Sequence, residues 1–105
     1  SNVRLNSFIV LDHAIVIGNR LLIYIAEAGS AVWMDEPLRV IVRCGRNERD
    51  EKGLNRFRLV LVSDLPDEVR QAAERQFEEL RGADKKVHLH VIGKSGLLFT
   101  AEGKG

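Results

Sequence analysis

Arginine is the residue type in this chain whose spacing most clearly suggests chemistry. The stretch from residue 39 to 58 holds seven basic residues against three acids, although the whole chain carries a formal net charge of only +1. Guanidinium groups bind carboxylates and phosphates through paired, charge-assisted hydrogen bonds. We therefore predict an anion-binding or partner-binding site made of six arginines: Arg39, Arg43, Arg46, Arg49, Arg56 and Arg58.

The pattern around these arginines predicts a β-hairpin. Residues 38–44 and 56–62 alternate along their length as strands do, and the polar residues 45–55 between them are expected to form a long mobile loop. Pairing symmetrical about the loop places Arg43 opposite Arg56, where like charges repel and require a negative neighbour. That neighbour is either a bound anion, such as a nucleic-acid phosphate, or the acidic stretch 64–79 of this chain or of a second copy.

Histidine and cysteine offer weaker signals. His88 and His90 share one face of a predicted strand, and with His13 they could supply three imidazole ligands to a metal ion. Cys44 could pair with a histidine as nucleophile and base. Neither arrangement has a supporting motif, so we expect a non-enzymatic protein with no catalytic residue, metal or other cofactor.

Three large side chains suggest either a pocket or an interface. Tyr24, Trp33 and Met34 could line a small apolar cavity inside a curled sheet, or anchor a contact with a partner. A small-molecule-binding pocket protein or minor enzyme is therefore the alternative to an interaction module.

Periodicity and turn residues predict the remaining elements. Residues 8–17 and 20–26 form a hairpin around Gly18-Asn19, and a short strand is expected within 31–34. Residues 64–81 form a helix with Ser63 or Asp64 as its N-cap and Gly82 after its last turn. Residues 87–92 and 97–101 form a final hairpin.

This order, β-β-(β)-β-β-α-β-β, predicts an α+β fold. We expect a curved, mostly antiparallel sheet of five or six strands, closed into a partial barrel, with one helix packed across it. The first hairpin is apolar on both faces, which is typical of strands covered on both sides. One helix cannot cover both, so either the sheet curls into a partial barrel or a second copy covers the remaining face, and we expect a homodimer.

Length and composition favour a small cytoplasmic protein. A chain of 105 residues has the length of a single domain, here residues 1–105, with frayed ends at 1–6 and 102–105. Its single cysteine favours a reducing compartment, and it has no apolar stretch of the roughly 20 residues that span a bilayer. We expect a homo-oligomeric interaction module without membrane contact, and nucleic-acid binding through the arginines as a less favoured alternative.

Overall fold

The chain folds as an α+β protein around a mixed four-stranded sheet. The computed structural model describes residues 3–4, 10–29 and 35–95. Their elements are β1 (Val3–Arg4), β2 (Val10–Leu11), β3 (His13–Ile17), β4 (Leu21–Glu27), α1 (Glu36–Glu51), β5 (Arg56–Ser63), α2 (Pro66–Arg81) and β6 (Val87–Gly93). The sheet order is β3-β4-β5-β6, with β3 and β4 antiparallel and the other pairs parallel, while β1 and β2 form a separate antiparallel pair.

The first hairpin is confirmed where the structure describes it. Gly18 has a φ of 60° and Asn19 a φ of 56°, and positive φ at both central residues defines the tight turn whose twist matches that of paired strands. The register aligns Ile15 with Ile23 and Ile17 with Leu21. The hairpin thus places two apolar strands side by side.

The predicted arginine-rich hairpin is wrong, because residues 38–44 belong to helix α1. Their apolar residues also match the helical period, and the buried positions of α1 are Leu38, Val40, Ile41, Val42, Gly45 and Arg49. A short run of β-branched residues fits both periods, so the alternation alone was ambiguous. Pro37 in the first turn and the charged residues up to Glu51 extend the segment into a 16-residue helix. The predicted loop 45–55 is mostly the second half of this helix.

The predicted sheet is therefore also wrong. With α1 in place of a strand, the sheet within the described residues has four strands, two of its three pairings are parallel, and two helices pack on it. Parallel neighbours need a crossover connection, and α1 and α2 provide the two crossovers. The predicted strands at 31–34 and 97–101 lie outside the described residues.

Helix α2 is the element that the sequence predicted best. Val69, Ala73 and Phe77 are buried on one face, and Gly82, with a φ of 57°, follows the last turn. The predicted N-cap is wrong: Leu65 occupies that position, and the Ser63 hydroxyl accepts a hydrogen bond from the Leu65 backbone N–H at 3.0 Å.

Both helices pack on the same face of the sheet. Alternate residues of β4 and β5 point toward them and are buried, and β6 adds Val87 and Val91 to the same core. The sheet contributes to this core Leu22, Tyr24, Ala26, Phe57, Leu59, Leu61, Val87 and Val91. The opposite face has no helix over it among the described residues.

Gly45 allows α1 to approach the sheet closely. A Cβ atom at this position would overlap the Phe57 ring, whose other side meets Tyr24 edge to face at 5.0 Å between centroids. The Tyr24 hydroxyl donates a hydrogen bond to Glu48, one turn further along α1. Burial raises the pKa of Tyr24, and the hydrogen bond to Glu48 raises it further, so the phenol stays protonated.

The outer edge of β6 is covered by side chains of α2. Arg70 donates a hydrogen bond to the Val91 carbonyl at 2.8 Å, and Arg81 donates one to the Val87 carbonyl at 3.1 Å. These bonds satisfy carbonyls on the side of β6 away from β5 and so protect the edge from adding another strand.

In the described parts of the chain, neither helix is long and apolar enough to cross a membrane.

Replacing Gly45 with Ala is expected to destabilise the fold. The added methyl group must displace the Phe57 ring in a packed core, which costs about 1–3 kcal/mol and outweighs the gain in helix propensity of about 1 kcal/mol. Chemical denaturation of the variant should show a lower free energy of unfolding. Gly29→Ala is the matched control, because no atom of the described residues lies within 4 Å of a Cβ there. Equal stability of both variants and the native chain would contradict the close-approach role of Gly45.

Candidate anion-binding face of the sheet

The six arginines of the predicted site are divided among three places. Arg39, Arg43 and Arg46 follow one another at helical spacing on α1, and Arg49 is buried at the end of the same helix. Arg56 and Arg58 lie on β5. Arg43 and Arg56 are therefore not opposed on a hairpin, and each place has its own electrostatic environment.

Asp84 neutralises the buried end of α1. Arg49 is only 8 % exposed and donates two hydrogen bonds to the Asp84 carboxylate, at 3.1 and 2.8 Å. Arg46 donates to the same carboxylate at 3.2 Å and to the Leu80 carbonyl at 3.3 Å. The hydrogen bonds from Arg49 lower the pKa of Asp84. The negative neighbour of Arg46 and Arg49 is therefore an acid of the same chain, and the two arginines stabilise the fold.

The outer surface of α1 contains acids among its arginines. Arg39 forms ion pairs with Asp35 at 4.0 Å and with Glu36 at 3.6 Å. Arg43 borders a groove of about 250 Å³ in which Asp50 also takes part. This surface is a mixture of charges rather than a concentrated cationic site.

Arg56 and Arg58 project from the sheet face opposite the helices, which we call the open face. Phe57 and Leu59, the residues that alternate with them, are fully buried under the helices. Strand register gives the open face two halves. The apolar half on β3 and β4 comprises Ile15, Ile17, Leu21, Ile23 and Ile25. The other half, on β5 and β6, comprises Arg56, Arg58, Val60, Val62, His88, His90 and Ile92, and Val62, at its far end, is buried.

Three of these side chains, Arg56, Arg58 and His88, form what we call the cationic cluster. Arg58 and His88 are register partners, and Arg56 Nη1 lies 3.1 Å from His88 Nε2. Arginine can only donate, so the ring nitrogen must accept, and the imidazole is neutral with its proton on Nδ1. The ring therefore keeps one donor for another group.

The cationic cluster has no acid in it. Among the residues that the structure describes, neither Arg56 nor Arg58 forms an ion pair within 4.0 Å. Arg58 Nε is buried and, like Arg81 Nε, has no hydrogen-bond partner among the described residues. A buried donor without an acceptor carries a desolvation cost. Unlike Arg39, Arg46, Arg49 and Arg70, the two arginines of the cluster thus have no acidic partner among the described residues.

The titration of His88 reflects this environment. Burial lowers the pKa of the imidazole, and the positive charges of Arg56 and Arg58 lower it further, with smaller contributions from Arg81 and His90. The charges that lower this pKa are positive, although His88 also lines the groove between α2 and β6 that contains Glu74 and Glu78. An anion bound beside the ring would raise the pKa of His88.

The apolar half is exposed beside the cluster. Ile15 is 40 % exposed and Ile17 52 % exposed, both on the edge strand β3. Leu21, Ile23 and Ile25 on β4 are half-buried. Adjacent apolar side chains at the surface are typical of contact sites for other molecules.

The remaining predicted site residues do not join this face. Tyr24 is 2 % exposed and belongs to the core, so it does not line a pocket. Trp33 and Met34 lie outside the described residues. Cys44 is half-buried on α1, and no group of three or more possible metal ligands occurs among the described residues. A second groove, of about 330 Å³, runs between α2 and β6 and combines Glu74 and Glu78 with the histidine strand.

Two positions of this structure do not follow from the sequence-based predictions. The sequence suggests His88 as a metal ligand or as a base for Cys44, whereas its alternation with the buried Val87 places it on the same face as Arg58. Asp84 has no sequence signal, because it follows the last turn of α2 and has no periodic pattern around it. Its contacts with α1 depend on how the two helices pack.

Comparisons with protein-family models, with curated proteins and with solved structures find no match to this chain.

Replacing Asp84 with Asn is expected to reduce stability strongly at neutral pH. Arg49 would remain buried with only the exposed Asp50 as an acidic partner, which costs up to about 3 kcal/mol. Because the native pKa of Asp84 is lowered, its contribution is present above the unfolded pKa of about 4 and is lost as the pH falls further. Unfolding curves at pH 7 and pH 3 should therefore show a larger difference from the native chain at pH 7 than at pH 3.

Asp67→Asn is the matched control for this prediction. Asp67 also pairs with an arginine, Arg70, but its side chain is 91 % exposed, so its loss should change stability by less than about 0.5 kcal/mol. Similar effects of the two substitutions would show that Asp84 is an ordinary surface acid.

Proposed function

We propose that this chain is a non-enzymatic binding module that holds an anionic group of a partner protein on its open face. The observation that carries the proposal is the cationic cluster: Arg56, Arg58 and His88 converge with no acid among them, next to exposed apolar strands. A site that offers hydrogen-bond donors and apolar surface, without a nucleophile or general base in a supporting arrangement, suits recognition better than catalysis.

The size of the open face indicates how much of it a partner must cover. Four strands about 4.8 Å apart make a face about 19 Å wide, and the apolar half is only half of that width. Stable protein interfaces bury about 800 Å² on each partner. The apolar half is too small to provide this area alone, so a stable partner must extend over the cationic cluster.

Charge disfavours a second copy as that partner. A two-fold axis would bring the cluster either against itself or over the apolar half of the other copy. In the first case like charges meet, and in the second Arg58 loses water without gaining an acid. The occupant that suits both halves is an apolar surface bearing negative charge. The homodimer expected from the sequence stays a prediction. The surfaces that carry Asp12, Glu27 and the acids of the two helices are other places where a second copy could bind.

The proposal predicts that a partner contacts both halves of the open face at once. A photo-crosslinking residue at Ile17 or at His90, on opposite sides of the face, should capture the same protein from extracts of the source cells. Leu65 is the control position, because it is 48 % exposed and apolar but lies at the start of α2. Mass spectrometry of the crosslinked species gives the partner's identity and contact site.

Substitutions then test separately what the apolar half and the cationic cluster contribute to binding. Ile15→Asp and Arg58→Gln should each reduce capture at least tenfold, and Leu65→Asp should leave it unchanged. Light scattering on the purified chain identifies the competing occupant: a dimer that Ile15→Asp or Arg58→Gln dissociates would show that a second copy covers the face. Capture from position 65 as well as 17 and 90 would indicate unspecific adhesion and overturn the proposal.

A further inference from the structure

The charges of the cationic cluster distinguish one class of anion from another. Arg56 and Arg58 carry two permanent positive charges on alternate residues of one strand, about 7 Å apart along it. A carboxylate carries one negative charge and can compensate only one guanidinium. A phosphate monoester carries about −1.5 to −2 charges at pH 7 and has three acceptor oxygens.

The number of donors in the cluster matches those three oxygens. Among the described residues the guanidinium of Arg58 makes no hydrogen bond or ion pair, so its terminal N–H groups remain as donors, and His88 keeps the donor on Nδ1 while its Nε2 accepts from Arg56. Arg56 has further guanidinium N–H groups, because one of its nitrogens alone contacts His88. Each of the three side chains can therefore donate to a different oxygen of one tetrahedral anion.

His88 adds a means of strengthening this contact. Its neutral ring occupies one nitrogen of Arg56, so the cluster without an anion is held together by that hydrogen bond. A dianion nearby favours the imidazolium form, which can no longer accept from Arg56 and becomes a second donor to the anion. Arg56 is then released to turn both of its terminal nitrogens toward the anion.

We propose that the cationic cluster is a phosphate-binding site whose ligand is a phosphoryl group carried by the partner protein. This inference rests on the proposed function for its partner, but binding of the phosphate itself depends only on Arg56, Arg58 and His88. The apolar half of the open face would contact the residues that flank the phosphorylated side chain.

A phosphate site at another group of arginines, or a nucleic-acid ligand, would differ from the cationic cluster in its neighbouring acids and in its dependence on salt. The row of Arg39, Arg43 and Arg46 on α1 is the other concentration of arginines, but Asp35, Glu36, Asp50 and Asp84 lie within it or contact it. Nucleic acid would contact basic side chains over a wide surface and show a steep salt dependence. A discrete phosphate site depends on the three residues of the cluster alone.

The test uses inorganic phosphate as the probe and nuclear magnetic resonance of the full chain as the readout. At constant ionic strength, phosphate should shift the Arg58 Nε and His88 ring signals in a saturable way, with a Kd on the order of millimolar, as suits a small ligand at a half-open site. Acetate at the same ionic strength should bind at least tenfold more weakly. Phosphate should also raise the pH midpoint of His88, because the anion opposes the charges of Arg56 and Arg58.

Three variants locate the site. Arg58→Gln should weaken phosphate binding about tenfold or more, as expected for a lost charge-assisted hydrogen bond. Arg58→Lys should give an intermediate loss, since it keeps the charge without the planar fork. Arg43→Gln removes an exposed arginine of α1 and should change nothing, and circular dichroism with thermal unfolding checks that all three are folded.

Each outcome supports or overturns the inference. Equal binding of acetate and phosphate, equal losses in Arg43→Gln and Arg58→Gln, or no saturable shift at 50 mM phosphate, about tenfold above the expected Kd, would overturn it. Tighter binding of a mixed-sequence oligonucleotide than of phosphate, lost equally in both glutamine variants, would assign the ligand to nucleic acid. Phosphate binding is measured on the isolated chain and does not depend on the crosslinked partner. Failure of one proposal is therefore distinguishable from failure of the other.

Discussion

The direction of two successive crossovers is the constraint on which the rest of this structure depends. From β4 to β5 to β6 the chain advances across the sheet in one direction, and each step passes through a helix. Crossovers of the same hand that advance in the same direction must lie on the same side of the sheet. Both helices therefore bury one face, and the other is left for contacts outside this core.

Close packing makes this arrangement specific. Gly45 brings α1 against Phe57, Tyr24 extends from the sheet to Glu48 on α1, and Asp84 joins the ends of α1 and α2 through Arg49. Although burial raises the pKa of Glu48, hydrogen bonds from Lys52 and Tyr24 outweigh it and lower the pKa overall. On the helical side the buried Arg49 is thus paired with Asp84, whereas the open face retains the cationic cluster.

Particular residues explain which predictions succeeded. The Gly18-Asn19 hairpin and helix α2 were predicted because turn chemistry and a single apolar stripe act over a few neighbouring residues. Residues 38–44 were assigned to a strand because Leu38, Val40 and Val42 alternate, yet Leu38, Ile41, Val42 and Gly45 also share a helix face. Local sequence could not choose between these patterns, since the choice depends on Phe57, which meets Gly45 from a distant strand. Because residues 38–44 were assigned to a strand, the sheet was also predicted with the wrong number and direction of strands.

The sequence by itself determined three local features: the concentration of arginines, the apolar strands of the first hairpin, and the helical periodicity of α2. Tertiary structure alone decided which arginines are neutralised, because Asp84 reaches Arg46 and Arg49 only when the two helices pack together. It also decided that Arg58 and His88 are neighbours, through a strand register set across thirty residues of chain. Charge can be counted from a sequence, but whether a charge meets its opposite depends on distances of a few ångströms, and those exist only after folding.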